Sequence, residues 1–212
     1  MKKILLSIFL STIFMANVVA MAGTGDDYNI ETRNDNGVEV YSVLENDECN
    51  RDEAMAEILR LTGDPSYTQQ PSLFRASDPL YKNNKGYHGT TTAYGWKRLY
   101  NYDDYFNYVF EGGQSAMWTG SGTCDKIILF ENITVTSQTN AIAWPFSITA
   151  SVSASSASWN SEAFTGTNIA GASYSSFKIS SSGTLRVSFV DGADIYKGSI
   201  VYRPMATIYY GI

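Results

Sequence analysis

Along the C-terminal half of the chain, apolar and small polar residues take turns. Residues 127–130 form a short apolar run, Ile133 and Val135 alternate with Thr, and Ile148, Ala150, Val152 and Ala154 alternate with Ser or Thr. Phe177 and Ile179 follow, Leu185, Val187 and Phe189 alternate with Arg186, Ser188 and Val190, and the tail 200–210 is again rich in branched and aromatic residues. A period of two sends successive side chains to opposite faces of a strand, so these segments predict short strands with one buried face. Gly, Asn and Ser between them supply turns. The series favours a mainly β fold, an antiparallel β-sandwich or barrel-like C-terminal domain. The alternation loses parity at Ser155-Ser156, which predicts a bulge or a turn there.

The N-terminal part reads differently. Residues 28–44 form a predicted hairpin around Asn36-Gly37, a dipeptide suited to the positive φ of a type I′ turn. Asn50 is a predicted helix cap with Glu53 three positions on, and Met55, Ile58, Leu59 and Thr62 share one face of a helix over 51–62. Gly63 and Asp64-Pro65 stop that helix. Residues 65–80 carry prolines and little periodicity, the pattern of a linker or surface loop. The expected organisation is therefore a hairpin–helix region over 23–64, a Pro-containing connection over 65–80, and an aromatic- and Ser/Thr-rich β domain over 81–212.

The first 22 residues match a secretory leader. Lys2 and Lys3 precede the apolar run 4–15, and Ala20 and Ala22 flank a cleavage point after Ala22. The run is too short to span a bilayer, and no later segment is long and apolar enough for a transmembrane anchor. The expectation is a secreted, extracellular or cell-envelope location. The chain has 15 basic and 21 acidic residues, so loss of Lys2 and Lys3 leaves 13 against 21, a net of −8. That balance argues against nucleic acid as a partner, because phosphate neutralisation needs basic surface. Residues 23–64 hold twelve acids and three bases, which marks them as a solvated appendage or a removable acidic segment. With one His and two Cys, no His- or Cys-rich metal site can be assembled. In an exported chain Cys49 and Cys124 are expected to form a disulfide, which would tie the acidic region to the body.

Aromatic density is the most unusual feature. Eight of the seventeen residues over 94–110 are aromatic, and Trp118 follows. Aromatic faces stack on the C–H faces of sugar rings, and Tyr and Trp anchor protein interfaces; the alternative is a core-facing segment. The candidate ligand-binding residues are Trp96, Tyr100, Tyr102, Tyr105 and Trp118 for stacking, with Asn101, Asp103 and Asp104 for hydrogen bonds to hydroxyls.

Other motifs are short. Tyr87-His88-Gly89-Thr90 resembles the Tyr-His-Gly-Thr run of the diphtheria-toxin class of mono-ADP-ribosyltransferases, where that His contacts NAD. The likeness covers four residues, the surroundings of Glu162, the last Glu, do not match that class, and no cofactor is assigned. A Ser-His-Asp hydrolase would need His88, and no Gly-x-Ser-x-Gly elbow is present. A small jelly-roll glycoside hydrolase could draw its two carboxylates from Glu111, Asp125, Glu131 and Glu162. Asp191-Gly192-Ala193-Asp194 reads as a turn, with a calcium loop as the sharper version. Asn132-Ile133-Thr134 fits a glycosylation acceptor lying in a strand. The Ser/Thr-faced alternation over 147–154 also suits a hairpin of an oligomeric membrane barrel. The balance of these features is a secreted non-catalytic binding protein for glycan or cell-envelope polymer. The rivals are an antibacterial or pore-forming effector and a small glycosidase.

Overall fold

The computed structural model describes residues 19–21, 28–35, 37–45, 49–67, 80–101, 107–136, 139–143, 151–152, 155–181 and 184–211. Among them the elements run, in chain order, β1 (Val19–Met21), β2 (Tyr28–Asp35), β3 (Val38–Glu45), α1 (Arg51–Leu61), β4 (Leu80–Tyr87), β5 (Thr91–Asn101), β6 (Asn107–Trp118), β7 (Lys126–Val135) and β8 (Thr139–Ala143). There follow β9 (Ser151–Val152), β10 (Ser156–Asn160), β11 (Ile169–Ser181), β12 (Arg186–Lys197), β13 (Ile200–Tyr202) and β14 (Met205–Gly211). They form two antiparallel sheets. The first has the order β1-β2-β3-β11-β6-β5-β4, with β8 beside the second half of β11. The second has the order β13-β12-β7-β10-β9, with β14 also on β12. The fold is the expected antiparallel, sandwich-like one.

The core lies between the sheets. Val40, Leu99, Phe110, Phe177 and Ile179 of the first sheet pack with Ile127, Leu129, Ile133, Trp159, Val187 and Phe189 of the second. The alternation over 185–190 holds as predicted, with Leu185, Val187 and Phe189 buried. The parity slip at Ser155-Ser156 falls at the connection of a hairpin, since Val152 on β9 pairs with Ala157 on β10. At one side the sheets approach edge to edge. The Lys82 ammonium donates to the Tyr209 carbonyl (2.6 Å) and the Asn84 amide to that of Thr207 (2.8 Å).

The acidic N-terminal region is built into this body. β3 pairs with β11 over Ala170–Ser173 of the latter, which places the hairpin inside the larger sheet. Asn50 caps α1 through Oδ1, which accepts from the Asp52 (3.2 Å) and Glu53 (3.5 Å) amides. Gly63 ends the helix at φ 78°, a conformation that favours glycine. Ala54 and Ile58 pack with Ile30, Tyr41, Val43, Met117 and Ile169 on the outer face of the first sheet. Leu59 packs with Tyr94 and Trp96. The larger sheet is thus covered on both faces, by the second sheet and by α1.

Two expectations change here. Cys49 and Cys124 are not joined in a disulfide. Cys124 packs between the sheets, with its Sγ 3.1 Å from the Thr167 carbonyl, whereas Cys49 packs with the cluster beneath α1. Residues 191–194 are neither a turn nor a calcium loop but the middle of β12, and the Asp191 side chain points into the core. Of the predicted leader, only Val19–Met21 lie among the described residues, as β1, which pairs with Ile30, Glu31 and Thr32 at the sheet edge.

Three ionisable side chains meet inside the apolar core. Lys97 and Asp191 are 0% exposed and Glu131 1%. Lys97 Nζ lies 2.8 and 2.7 Å from the two Asp191 carboxyl oxygens and 3.3 Å from Glu131 Oε1. Asp191 and Glu131 are direct cross-strand partners on β12 and β7, while Lys97 reaches them from β5 in the opposite sheet. The Tyr174 hydroxyl donates to Glu131 Oε1 (3.0 Å).

Candidate functional site

An open cleft sits where α1 ends on the outer face of the first sheet. It holds about 470 Å³ and is lined by Asn34, Gly37, Glu39, Leu61, Thr62, Gly63, Trp96, Arg98, Glu111, Ser173, Tyr174 and Ser175. That volume lies within the range of about 300–1,000 Å³ typical of small-molecule sites. Strand register explains the convergence. Asn34 pairs with Glu39, Glu39 with Ser173, Ser173 with Gly113, and Gly113 with Trp96, so one row crosses four strand boundaries to form the floor. The next row contributes Arg98 and Glu111, themselves a cross-strand pair.

Glycines let the helix come down onto this floor. A Cβ on Gly113 would lie 2.6 Å from Trp96 Nε1 and 2.8 Å from Thr62 Cβ. A Cβ on Gly171 would lie 2.5 Å from Ile58 Cγ2. The Trp96 indole donates to Thr62 Oγ1 (3.2 Å), tying the sheet to the last turn of α1.

The walls are polar and charged. Arg98 and Glu111 form an ion pair, with side chains 29% and 19% exposed, so both reach solvent in the cleft. The Tyr41 hydroxyl donates to Glu39 Oε2 (2.7 Å) and lies 3.2 Å from the Leu61 carbonyl. Burial pushes the Tyr41 phenol well above its ordinary range, and its hydrogen bond to Glu39 adds to the rise. Behind Trp96, Asp64 accepts from Tyr94 (2.5 Å), Tyr81 (2.7 Å) and Ser66 (2.7 Å), a fully buried carboxylate that fixes the exit of α1. The arrangement offers guanidinium, carboxylate, amide and hydroxyl groups around a short aromatic edge, which suits a polyhydroxylated ligand.

The structure corrects the aromatic-surface expectation at two positions. Trp96 is 2% and Trp118 5% exposed, so neither presents a free ring face for stacking. Trp96 is wedged between sheet and helix and contributes only to the cleft floor. Trp118 packs 5.2 Å from the Tyr202 ring, and its indole donates to the Gly122 carbonyl (3.0 Å). Tyr100 and Asn101 end β5, paired with Val109 and Tyr108 of β6. Tyr102, Asp103, Asp104 and Tyr105 lie outside the described residues. Asn34, Glu39, Arg98 and Ser173 escaped the sequence reading, and Glu111 entered it only as a candidate glycosidase carboxylate. The period-two set Tyr94, Trp96 and Arg98 carried a signal for them, legible only once 94–110 is taken as a strand.

The other candidate motifs are dispersed. Glu111 lines the cleft, Glu131 is sealed in the core, Glu162 is 75% exposed beside Arg33, and Asp125 accepts the Gly198 amide (2.7 Å). These carboxylates therefore occupy separate parts of the described structure. His88 forms the hairpin turn between β4 and β5, exchanging backbone bonds with Thr91, and its Nδ1 accepts the Arg203 amide (2.7 Å). Of the region 147–154 considered for membrane insertion, only Ser151–Val152 lie among the described residues, as β9. Among those described, no helix is long and apolar enough to cross a membrane. Compared with known proteins, the chain matches no family model, no curated protein and no solved structure.

Proposed function

We propose that this is an exported, non-catalytic binding protein that acts at or outside the cell surface and takes a glycan or cell-envelope polymer in the cleft beside α1. The observation that carries the reading is the cleft itself, about 470 Å³ in volume and walled by Asn34, Glu39, Arg98, Glu111 and Ser173. Paired Arg and Glu side chains offer donors and acceptors in fixed directions, the requirement for discriminating hydroxyl patterns. Binding without turnover is favoured because both cleft carboxylates are already engaged, Glu111 by Arg98 and Glu39 by the Tyr41 hydroxyl. Retaining and inverting glycosidases instead use two facing carboxylates, one of them kept protonated. The leader-like residues 1–22 support export.

The test is co-sedimentation of the full chain with peptidoglycan and a panel of insoluble polysaccharides, beside two variants. Ser175 is exposed at the cleft mouth, so Ser175→Trp fills the site without disturbing the core. Arg98→Ala removes the guanidinium donors. At least one polymer retains the wild type, and both variants lose roughly tenfold or more in affinity, about 1.4 kcal/mol or more. Failure of the wild type to bind any polymer, or equal binding by both variants, refutes the reading.

A further inference from the structure

The Lys97–Asp191–Glu131 cluster is sealed from solvent, so no external substrate reaches it; the groups it can act on are its own. We propose that Lys97 and Asp191 condense spontaneously into an intramolecular amide that joins the two sheets, with Glu131 as the acid–base catalyst.

Geometry supports this first. Nζ lies within 2.8 Å of both Asp191 carboxyl oxygens. Their shared carbon is then about 3 Å away, inside the near-attack separation of about 3–3.5 Å. A turn about the Cβ–Cγ bond of Asp191, a soft torsion, presents the carbonyl face to the nitrogen. Glu131 Oε1 is 3.3 Å from the same nitrogen and is held by the Tyr174 hydroxyl at 3.0 Å.

The surroundings are shaped around the pair. A Cβ on Gly95 would lie 2.0 Å from Asp191 Oδ2, and one on Gly112 would lie 2.6 Å from Lys97 Cδ. Both positions are left empty by sequence. The Tyr174 and Phe189 rings stand 5.5 and 5.7 Å from Nζ and help to exclude water, which would otherwise solvate the charges and oppose condensation. Gln114 Oε1 is buried without a hydrogen-bond partner on the same side of the cluster as Glu131.

Protonation fits as well. Burial pushes the Asp191 carboxyl up to about 8 against the pull of the Lys97 ammonium, and the neighbouring Glu131 carboxylate adds to the rise. Burial thus favours the neutral acid form of Asp191, the form that can lose its hydroxyl as water. Glu131 takes a proton from the Lys97 ammonium, and the freed amine attacks Asp191 Cγ to form the C–N bond. The C–O bond to the Asp191 hydroxyl breaks as Glu131 returns a proton to the departing oxygen, which leaves as water. Glu131 then accepts a proton from the amide nitrogen. The products are the amide, one water and a Glu131 carboxylic acid. Net charge is unchanged, and no oxidant, reductant or activating nucleotide enters.

The experiment is intact-mass and tryptic-peptide mass spectrometry of the folded full chain after reduction, beside Glu131→Gln and Lys97→Arg. In the wild type, most of the folded protein is lighter by one water, trypsin skips the bond after Lys97, and a branched peptide joins the Lys97 and Asp191 segments. Glu131→Gln and Lys97→Arg keep their full mass. A wild-type chain that is folded by circular dichroism, of full mass and with Lys97 in an unbranched peptide, overturns the proposal. So does a water loss confined to a linear peptide containing Asp191-Gly192, the mark of a cyclic imide. The wild-type branched peptide decides the matter even where a variant does not fold.

Discussion

Gly95 stands directly across the core from Asp191, and a methyl group there would occupy the space of Oδ2 at 2.0 Å. Overpacking of a buried site costs about 1–3 kcal/mol, and loss of the Lys97 contact to a buried carboxylate adds to it. Gly95→Ala is therefore expected to lower the denaturant midpoint by an amount at or above that range, whereas Gly166→Ala, where a Cβ meets nothing within 4 Å, costs only the strain of its φ of 70°. The tyrosines give a second residue-level expectation. Burial raises the phenols of Tyr94, Tyr174 and Tyr210 above the ordinary tyrosine value of about 10, and for Tyr94 the hydrogen bond to Asp64 adds to the rise. A raised folded value means that the native state keeps protons which the unfolded chain releases above pH 10. Their contribution is fully present below that pH and is lost as pH rises further. Ultraviolet titration should show the buried phenols ionising together with alkaline unfolding. Ionisation of every tyrosine near 10 with the fold intact would contradict the burial.

At the scale of elements, the parts legible in the sequence are those that punctuation marks. Asn36-Gly37 placed the hairpin, and Asn50 and Gly63 placed α1 almost to the residue. β5 and β6 were not legible as strands, because both their faces are covered. Tyr94 and Trp96 lie under α1, whereas Leu99 and Phe110 face the second sheet, and a strand buried on both sides loses its alternation. Aromatics therefore read as a surface when they are packing on two fronts. Lys97 gave no signal at all, since a lysine is rarely buried unless paired and its partners lie 34 and 94 positions further on. Asp191-Gly192 reads as a turn by composition, but the glycine is there because a Cβ would meet the Phe130 ring at 2.4 Å. The cysteine count predicted a bridge without knowing that the two thiols belong to different hydrophobic clusters. Two measurements follow for α1. Asn50→Ala should destabilise by about 1 kcal/mol, the usual loss for a cap, read as a shift in denaturant midpoint. In the native protein a thiol reagent should label half-buried Cys49 first and reach buried Cys124 only on unfolding; equal rates for both would contradict the packing.

For the whole molecule, the central question is what holds two sheets together around a charged cluster. A buried ion pair is weak evidence for stability, because desolvation of each charge offsets most of the attraction. Lys97, Asp191 and Glu131 would also leave an odd number of charges in the core if all were ionised, which burial opposes. Condensation of Lys97 with Asp191 leaves all three groups uncharged, Glu131 as the acid, and turns a costly cluster into a covalent tie between β5 and β12. That tie closes a separation of 94 positions, from 97 to 191. By the chain-entropy treatment of cross-links it is worth about 4–5 kcal/mol, and in a chain of this length each kcal/mol moves Tm by roughly 2–4 °C. Lys97→Arg keeps a cation opposite Asp191 but cannot form the amide, so its Tm should fall by roughly 10–20 °C. Because the tie is not a disulfide, wild-type Tm should be unchanged by reductant, in keeping with the lack of a disulfide between Cys49 and Cys124. A Lys97→Arg variant that melts with the wild type would show that the sheets are held by packing alone, and a Tm that drops with reductant would place the tie at the cysteines instead.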